Sequence, residues 1–472
     1  MPFDFPSGDP QKHGFDQSQL GRLIDQIERH VAEGWYPGCE IALARHGRLV
    51  LSRHFGHARI EPQKVKADSS TLWLLYSNTK VLTAAALWQL AERGHFRFTD
   101  TVAEHLPGFE RNGKGDITVL QVITHQGGFP DAVFRGDTFE SVEKRREAAC
   151  NVSLQWTPGS KVSYHPLAAH WVLGAMMESI TGRDFKALIQ EELLEPLGLG
   201  EDIRVGLPEE MHARAVDMHV PEEGRPTVQK PLEDSNNALW QRAGAPGGGG
   251  YGTAKGMAAF YQMLLQGGAL NGKRVLSPAS IRYATQNFTG DRVDAYMGMP
   301  MHRGLGPHLR GATPTVRGIG ALATPQTYGH GGVGSSYCWA DPVSGVSFAS
   351  PHPGTASAST RSRTSCTRRS SGSGGHRRPL LQRRLLAVGQ ADLEDVERKR
   401  PQAVVADDAD QLDDRLLAQH VDGPGIGGVG NAMQRVGFHA EIVDGALVGL
   451  HGGRRQAPAN GIYDRLGEPA VA

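Results

Sequence analysis

The 472-residue sequence predicts an α+β fold. Three observations in chain order favour it: an amphipathic helix followed by a β-hairpin, a long helix-rich middle, and three short strands before residue 350. Separate runs of strands and helices are typical of α+β proteins, whereas α/β proteins alternate the two. We therefore expect one sheet built from both ends of this region, with the helical middle inserted between them.

The first elements follow from the spacing of apolar residues. Helical spacing is kept by five of them: Leu20, Leu23, Ile24, Ile27 and Val31. Gly34 should end this helix. A strand then starts at Glu40, a turn falls at His46-Gly47, and a second strand runs through Leu49 and Leu51, so a hairpin is expected.

The middle and the closing strands are predicted in the same way. An apolar stretch at 72–76 leads into an Ala/Leu-rich helix over 81–90 that ends near Gly94. Further helices are expected at 120–124, 167–180, 185–194 and 257–265, and the glycine run 247–250 should return the chain to the sheet. The closing strands are expected at 327–333, 336–340 and 346–349.

Composition excludes several classes of function. The 50 basic and 50 acidic residues cancel, which argues against a nucleic-acid partner or a charged membrane surface. No apolar stretch approaches the roughly 18 residues of a membrane span. The four cysteines are scattered (Cys39, Cys150, Cys338, Cys366), and the first residues do not resemble a secretion signal. We expect a cytoplasmic protein whose oligomeric state the sequence leaves open.

Ser77-Asn78-Thr79-Lys80 is the central chemical signal. Residues three apart share one helix face, so the Lys80 amine can reach the Ser77 hydroxyl and, in a dry pocket, take its proton. The motif alone is weak, and Ser141-Val142-Glu143-Lys144 is a second match. The second copy lies among charged residues, which favours a solvated helix face, whereas Ser77 lies between apolar runs.

Further segments in order give the motif its specificity. They are 94–107 (GHFRFTDTVAEHLP), 117–130 (ITVLQVITHQGGFP), Trp156-Thr157-Pro158-Gly159 before Tyr164, 173–182, 247–268 and Gly329-His330-Gly331-Gly332. With the text around Ser77, this series resembles the serine β-lactamase-like superfamily, which includes class C β-lactamases, penicillin-binding D-Ala-D-Ala peptidases and family VIII carboxylesterases. The resemblance runs from about residue 17 to 350.

The resemblance implies an antiparallel five-stranded sheet flanked by helices, with an inserted and mostly helical subdomain. It implies that Ser77 is acylated, that Lys80 is its base and that Tyr164 shuttles protons. The backbone N–H groups of Ser77 and Val333 would form the oxyanion hole. The wall beside them would comprise His330, Gly331, Gly332 and Val333.

Two departures from the family pattern bear on the substrate. Tyr-x-Asn is here Tyr164-His165-Pro166, and Lys-Thr-Gly begins with His330 and Gly331. A histidine is mostly uncharged at pH 7, so the usual partner of a substrate carboxylate is missing. We therefore expect a carboxylesterase for small neutral esters; a β-lactamase or D-amino-acid peptidase, and a catalytically impaired binding or scaffold protein, are the alternatives.

Structural roles compete with each functional one. Tyr164 could be a core tyrosine, His330 a strand residue with a satisfied hydrogen bond, and His125 a turn-forming residue. Two G-x-G-x-x-G matches, starting at Gly247 and Gly423, do not clearly follow strands, and no G-x-S-x-G occurs. No cofactor and no metal are expected, and the partner should be a small ester or amide, not nucleic acid or membrane.

The predicted domain is residues 1–350, with a sheet part at about 17–70 and 253–350 and a helical part at about 71–252. Residues 351–472 form an atypical tail. No Phe, Trp or Tyr occurs between Phe348 and Phe438, and 351–378 are rich in Ser, Thr, Arg, Gly and Pro. We interpret the tail as low in order and as the product of a shifted reading frame; a genuine appended region is the alternative.

Overall fold

A computed structural model describes residues 4–354 apart from 133, 135, 140, 314–318, 321 and 334–335. The α-helices are α1 (Gln17–Ala32), α2 (Thr79–Glu92), α3 (Val102–His105), α4 (Val119–Ile123), α5 (Val142–Asn151), α6 (Ala168–Thr181), α7 (Phe185–Leu188), α8 (Glu233–Asn236), α9 (Ala238–Ala243), α10 (Ala254–Leu265) and α11 (Pro278–Ala284).

The strands alternate with them unevenly along the chain. They are β1 (Gly38–Arg45), β2 (Arg48–Arg59), β3 (Val65–Lys66), β4 (Trp73–Leu74), β5 (Ile203–Val205), β6 (His219–Glu222), β7 (Arg225–Pro231), β8 (Gly250–Gly252), β9 (Ala269–Leu270), β10 (Lys273–Arg274), β11 (Val293–Asp294), β12 (Met299–Pro300), β13 (His308–Leu309), β14 (Tyr328–Gly331), β15 (Tyr337–Asp341) and β16 (Val346–Ser350).

The main sheet confirms the predicted α+β class. Its order is β13-β14-β15-β16-β1-β2-β3, and every neighbouring pair is antiparallel. The first and the last of the described strands are neighbours in the middle of the sheet, where Ala42 of β1 lies opposite Ala349 of β16. The sheet has seven strands instead of five, because two-residue strands extend each edge; β3 and β13 are too short for a periodic pattern to indicate them.

The start of the chain folds as predicted. Asp16 caps α1 by accepting hydrogen bonds from the amides of Ser18 and Gln19, and the apolar stripe of this helix is buried. The β1–β2 hairpin turns at His46-Gly47, both of which have positive φ, as a tight turn between twisted strands requires.

The sheet is packed on both faces. Helix α10 packs on β1, β15 and β16 on one face, and its residues join the large core that also contains α2 and α6. On the other face the α1 side chains Leu20, Leu23 and Ile27 join a second cluster with Trp339 and Phe348 of the sheet. Burial of apolar area on both faces is the main stabilising term for such a layered fold.

The middle of the chain is mostly helical and also contains a small three-stranded sheet, in the order β4-β8-β5, close to Ser77. The helices predicted at 120–124, 167–180, 185–194 and 257–265 correspond to α4, α6, α7 with the π-helix Ile189–Leu194 that follows it, and α10. Strand β8 pairs with β4 and β5, so the chain after the 247–250 glycine run lies beside the segment that leads to Ser77. The predicted domain bounds stay a prediction.

The end of β16 at Ser350 lies close to the predicted end of the domain. Residues 351–354 are also ordered: Pro351 accepts a hydrogen bond from the Glu40 amide, and His352 stacks on Tyr36 at a centroid distance of 5.1 Å. The reading-frame interpretation covers 351–472, and all of that tail beyond residue 354 lies outside the described residues. None of the described helices is long and apolar enough to cross a membrane.

Candidate active site

Ser77 lies in a single turn of 3-10 helix, Tyr76–Asn78, directly before α2. The residue before it, Tyr76, has φ 43°, a conformation that costs energy for a bulky side chain. The Tyr76 hydroxyl is 2.9 Å from Ser235 Oγ, a contact that helps to fix this turn. Ser77 as a whole is 7% exposed, so the nucleophile turn is buried but reaches the surface of the site.

Asn78 fastens the same turn to the main sheet. Its Oδ1 accepts a hydrogen bond from the Cys338 amide of β15 at 3.1 Å. Its Nδ2 donates to the Leu75 carbonyl at 2.9 Å and to Ser336 Oγ at 3.2 Å. Every polar atom of this fully buried amide is therefore used, which fixes the nucleophile turn relative to the sheet.

Lys80 is the second residue of α2, and its amine lies beside Ser77. Its Nζ is 3.1 Å from Ser77 Oγ and 2.6 Å from each of the carbonyl oxygens of Pro166 and Gly247. The side chain is fully buried. Burial, and secondarily the positive charge of Arg303, hold the Lys80 pKa well below its usual value.

These contacts fit a neutral amine. A neutral lysine has two N–H bonds and one lone pair, which match two carbonyl acceptors and one hydroxyl donor. The two short contacts are to carbonyls, and the longer one is to the Ser77 hydroxyl. The arrangement lets Ser77 donate its proton to Lys80, which is what a general base requires.

Tyr164 completes the contacts of the Ser77 hydroxyl. Its O–H donates to Ser77 Oγ at 2.7 Å, and the Lys80 Nζ lies 5.0 Å from the centroid of its ring. Burial raises the pKa of Tyr164, although the hydrogen bond to Ser77 and the charge of Arg303 act in the opposite direction. The phenol is consequently protonated near neutral pH and can serve as a proton donor.

The predicted substrate wall, residues 330–333 at the end of β14, lies against the turn that carries Ser77. A Cβ on Gly332 would lie 2.7 Å from the Leu75 carbonyl oxygen, and one on Gly331 would lie 2.4 Å from the Tyr337 ring. Only glycine allows β14 to approach this closely. Val333 follows and is half-buried. The structure thus brings His330, Gly331, Gly332 and Val333 to the strand end beside the Ser77 turn.

His330 is uncharged in this wall. Its Nδ1 lies 2.7 Å from the Gly331 carbonyl oxygen, so Nδ1 carries the proton and Nε2 is unprotonated. Burial, and secondarily His308, hold the His330 pKa well below its usual value. The histidine ring lies 6.0 Å from the Tyr164 ring and 5.2 Å from His308. A neutral imidazole supplies no charge for a carboxylate.

Pro166 stands where the family pattern Tyr-x-Asn has its amide side chain, and the preceding His165 directs both ring nitrogens to protein groups. His165 Nδ1 donates to the Ser163 carbonyl at 2.6 Å and Nε2 accepts from the Phe129 amide at 3.1 Å. Burial lowers the His165 pKa to about 4. His125 has φ 62° and accepts from the His165 amide at 3.2 Å through Nδ1. His125 therefore shapes a turn, although its ring also lies 4.7 Å from that of Tyr164.

The second motif copy has a structural role. Ser141 is the N-cap of α5, where its Oγ accepts from the Lys144 amide at 3.3 Å and donates to Glu143. The side chain of Lys144 is exposed. Capping, and not catalysis, accounts for Ser141.

The sequence did not indicate the roles of several site residues, although Pro166 and the glycine run from Gly247 were noted for other reasons. Gly247 and Pro166 hold Lys80 through their carbonyls, and Asp294 and Arg303 form a buried ion pair beside Tyr164. Main-chain acceptors have no side-chain signature. Asp294 and Arg303 come from a region without a clear pattern, so only their three-dimensional neighbours identify them.

One group of possible metal ligands occurs among the described residues. Asp100, Glu104 and His105 place ligand atoms within 4.8 Å of one another. Two of the three are half-buried and Glu104 is exposed, and His105 already contacts Asp100 at 3.0 Å. The group includes none of Ser77, Lys80 and Tyr164.

Comparisons with known proteins agree with this geometry. The model of the beta-lactamase family matches residues 23–350. A putative D-alanyl-D-alanine carboxypeptidase of Escherichia coli K12 is 27% identical over 371 aligned residues, covering 71% of this chain and 82% of the relative.

Two solved structures are similar along most of their own length. A penicillin-binding protein homologue from Caulobacter crescentus has a TM-score of 0.63 and 26% identity, covering 75% of this chain and 95% of that one. A family VIII carboxylesterase has a TM-score of 0.63 and 25% identity, covering 72% of this chain and 93% of that one.

Proposed function

This chain belongs to the beta-lactamase family and is a serine hydrolase, and we propose that it is a carboxylesterase for small neutral esters, acylated at Ser77. One observation carries the choice of substrate: among the described residues around Ser77, no cation is left over for a substrate carboxylate. Lys80 is engaged by two carbonyls, Arg303 is paired with Asp294, and His330 is neutral.

Acylation follows from the proton arrangement. The Ser77 Oγ–H bond breaks as its proton moves to the lone pair of Lys80, and Oγ forms a bond to the ester carbonyl carbon. The bond between that carbon and the alcohol oxygen then breaks, and Tyr164 gives its proton to the leaving alkoxide. Lys80 holds the extra proton, which can return to the phenolate and restore both groups.

Deacylation reverses these roles. A water molecule attacks the acyl carbonyl while one of its protons passes to the lone pair of neutral Lys80. The bond between the carbonyl carbon and Ser77 Oγ then breaks as Tyr164 gives its proton to Oγ, and Lys80 returns its extra proton to the phenolate. The products are a carboxylic acid and the free enzyme. The Ser77 and Val333 amides are the proposed donors to the oxyanion of both steps, since Gly332 holds the strand end against the nucleophile turn.

A second candidate is a β-lactamase or D-amino-acid peptidase. The supporting observation is the 27% identity to a protein described as a putative D-alanyl-D-alanine carboxypeptidase. Peptidase and β-lactam substrates carry a carboxylate, and the neutral His330 in place of a lysine favours the ester reading over both.

Intact-mass spectrometry after incubation with a fluorophosphonate tests the nucleophile. We expect one adduct on the wild-type chain and on Ser141→Ala, and none on Ser77→Ala. Ser141→Ala is a matched control because it alters the second S-x-x-K serine, which caps a helix. An adduct on Ser77→Ala, or none on a folded wild-type sample, would contradict the proposal; the latter would favour a non-catalytic binding protein.

Turnover then separates the substrate classes. Short-chain nitrophenyl esters should be hydrolysed with kcat/KM well above that for nitrocefin and for a D-Ala-D-Ala peptide. Faster nitrocefin or peptide turnover would replace the esterase proposal with the second candidate, while Ser77 would keep its role.

A further inference from the structure

A buried ion pair stands beside the proposed nucleophile network. Arg303 Nη2 donates to Asp294 Oδ2 at 2.6 Å, and the two side chains are 2% and 0% exposed. A buried ion pair often contributes no more stability than well-packed apolar side chains of the same size. Its location next to Tyr164 therefore points to a role in the site.

Asp294 holds the backbone on which Tyr164 lies. Its Oδ1 accepts hydrogen bonds from the amides of Tyr164 at 3.1 Å, Tyr296 at 3.0 Å and Met297 at 3.2 Å. Residue 162, two positions before Tyr164, also forms an isolated bridge with Asp294. The carboxylate thus fixes the main chain of Tyr164, whose hydroxyl must stay 2.7 Å from Ser77 Oγ.

Arg303 contacts the same tyrosine through its ring. The guanidinium carbon lies 4.9 Å from the Tyr164 ring centroid, close enough for a cation–π contact. Lys80 Nζ lies 5.0 Å from the same centroid. A permanent cation at this position disfavours a second positive charge on Lys80 and favours negative charge on the Tyr164 oxygen.

The other titratable groups around Lys80 do not supply such a charge near neutral pH. His125 after α4, His170 in α6 and His330 in β14 all have pKa values held well below the usual one by burial. The Tyr164 pKa is raised, as is that of Tyr296, whose ring lies 5.6 Å from the Tyr164 ring. Arg303, paired with the Asp294 carboxylate, remains as the cation that acts on Lys80.

We propose that Asp294 and Arg303 are a positioning pair: Asp294 fixes Tyr164 against Ser77, and Arg303 places a permanent positive charge beside the network that favours neutral Lys80. The inference rests on the proposed function of Ser77, Lys80 and Tyr164. Neither residue of the pair contacts the ester carbonyl in this account; both act through Tyr164 and Lys80.

The test is the pH dependence of fluorophosphonate labelling of the full chain, followed by intact mass. Labelling needs neutral Lys80, so its acidic limb reports the Lys80 pKa without any choice of ester. We expect Arg303→Met to label about 10- to 100-fold more slowly at pH 7, with the limb moved to higher pH. Arg303→Lys should restore the limb to the wild-type position, because it keeps the charge.

Two further variants separate charge from packing. Asp294→Asn keeps an oxygen that can accept from the three amides. The acidic limb of labelling should therefore not move to higher pH, even if the labelling rate falls. Arg292→Met is the control, since Arg292 lies in the same segment and bonds Gln126 and Gly159 instead of Tyr164; its limb should match wild type. If Arg303→Met does not fold, the double variant Asp294→Asn/Arg303→Met replaces it, because it leaves no unpaired buried charge. The acidic limb of its labelling must still lie at higher pH than that of wild type.

The outcomes are distinguishable. Slower labelling by folded Arg303→Met with an unmoved limb would reduce the pair to a packing role and overturn this inference alone. Arg303→Met that matches wild type in both labelling rate and the position of the acidic limb would also overturn this inference alone. Absence of labelling on folded wild-type protein would instead overturn the function proposed for Ser77, and this inference with it.

Discussion

Lys80 shows how a single residue can be made a base by its surroundings. Its amine is buried, lies against two carbonyl oxygens and has Ser77 Oγ at 3.1 Å. Since its pKa is well below the usual value, a useful fraction is neutral at a pH where free lysine would be charged.

The pH profile of ester hydrolysis tests this account. The acidic limb of kcat/KM should lie well below the ordinary lysine pKa, because activity rises as Lys80 loses its proton. Lys80→Arg keeps a cation but cannot lose it, so kcat should fall by about 10²- to 10⁴-fold at every pH. Substantial activity in folded Lys80→Arg would assign the base elsewhere.

Gly247 is predicted to matter for its missing side chain. A Cβ there would lie 3.3 Å from Lys80 Nζ and 3.2 Å from His170 Cβ, so Gly247→Ala should displace the amine. We expect kcat/KM to fall by roughly 10²-fold with little change in the urea midpoint. Gly248→Ala is the matched control, since its Cβ would meet only the flexible end of Leu167. Equal losses in both variants would contradict the specific role of Gly247.

Among single residues, the sequence predicts those whose side chains belong to a short motif. Ser77 and Lys80 are three residues apart, so their proximity is dictated by one helical turn, and Tyr164 followed from the family resemblance. The site roles of Gly247, Pro166, Asp294 and Arg303 were not predicted. The first two act through main-chain carbonyls, and the last two are brought in by chain segments far away in sequence.

Among the elements, the turn before α2 depends on one amide. Asn78→Leu keeps the approximate volume but leaves the Cys338 amide without its partner and removes one of the two hydrogen bonds that the Leu75 carbonyl accepts. We expect a loss of about 2–4 kcal/mol in the free energy of unfolding, measured by urea titration. Ester turnover should fall as well, because the nucleophile turn loses its link to β15.

Ser336→Ala provides the matched comparison for Asn78. It removes only the 3.2 Å contact to Asn78 Nδ2 and leaves the bonds to Cys338 and Leu75 in place. Its cost should be about 1 kcal/mol or less. A loss as large as that of Asn78→Leu would place the stabilisation in the serine, and not in the links between the turn and β15.

Elements with a strong periodic pattern were predicted well and short ones were not. The amphipathic α1, the β1–β2 hairpin and the apolar α2 and α6 are confirmed. Edge strands β3 and β13 have two residues each, too few for a pattern. Helix α5 was indicated only as a solvated helix face around the second motif copy, without bounds, because charged residues make up much of it; Ser141 is its N-cap.

In the whole molecule, Glu40 connects three parts of the fold. Its Oε2 accepts hydrogen bonds from Trp73 Nε1 of β4 at 2.9 Å and from the Ala254 amide that begins α10 at 2.8 Å. The Ala254 contact places a carboxylate at a helix N-terminus, which is favourable. Order of motifs along the chain predicted the fold, but a contact between three distant segments has no sequence pattern of its own.

Opposite Glu40 in the hairpin register is His54 of β2. Its Nε2 lies 3.3 Å from Glu40 Oε1, within ion-pair range. Interaction with Glu40 raises the His54 pKa above its usual value. The folded state therefore holds this proton more tightly than the unfolded chain does, and the pair stabilises the fold when His54 is charged.

The sign fixes the pH dependence. The stabilisation from His54 is complete below the unfolded pKa near 6.5 and is lost as the pH rises through the higher folded pKa. His54→Gln should thus lower the free energy of unfolding at pH 5.5, by on the order of 1 kcal/mol or less, and by a smaller amount at pH 8.5. In a Glu40→Gln background the same change should have no such pH dependence, because the partner charge is gone. A His54→Gln effect that is equal at both pH values would show that packing, and not charge, joins these strands.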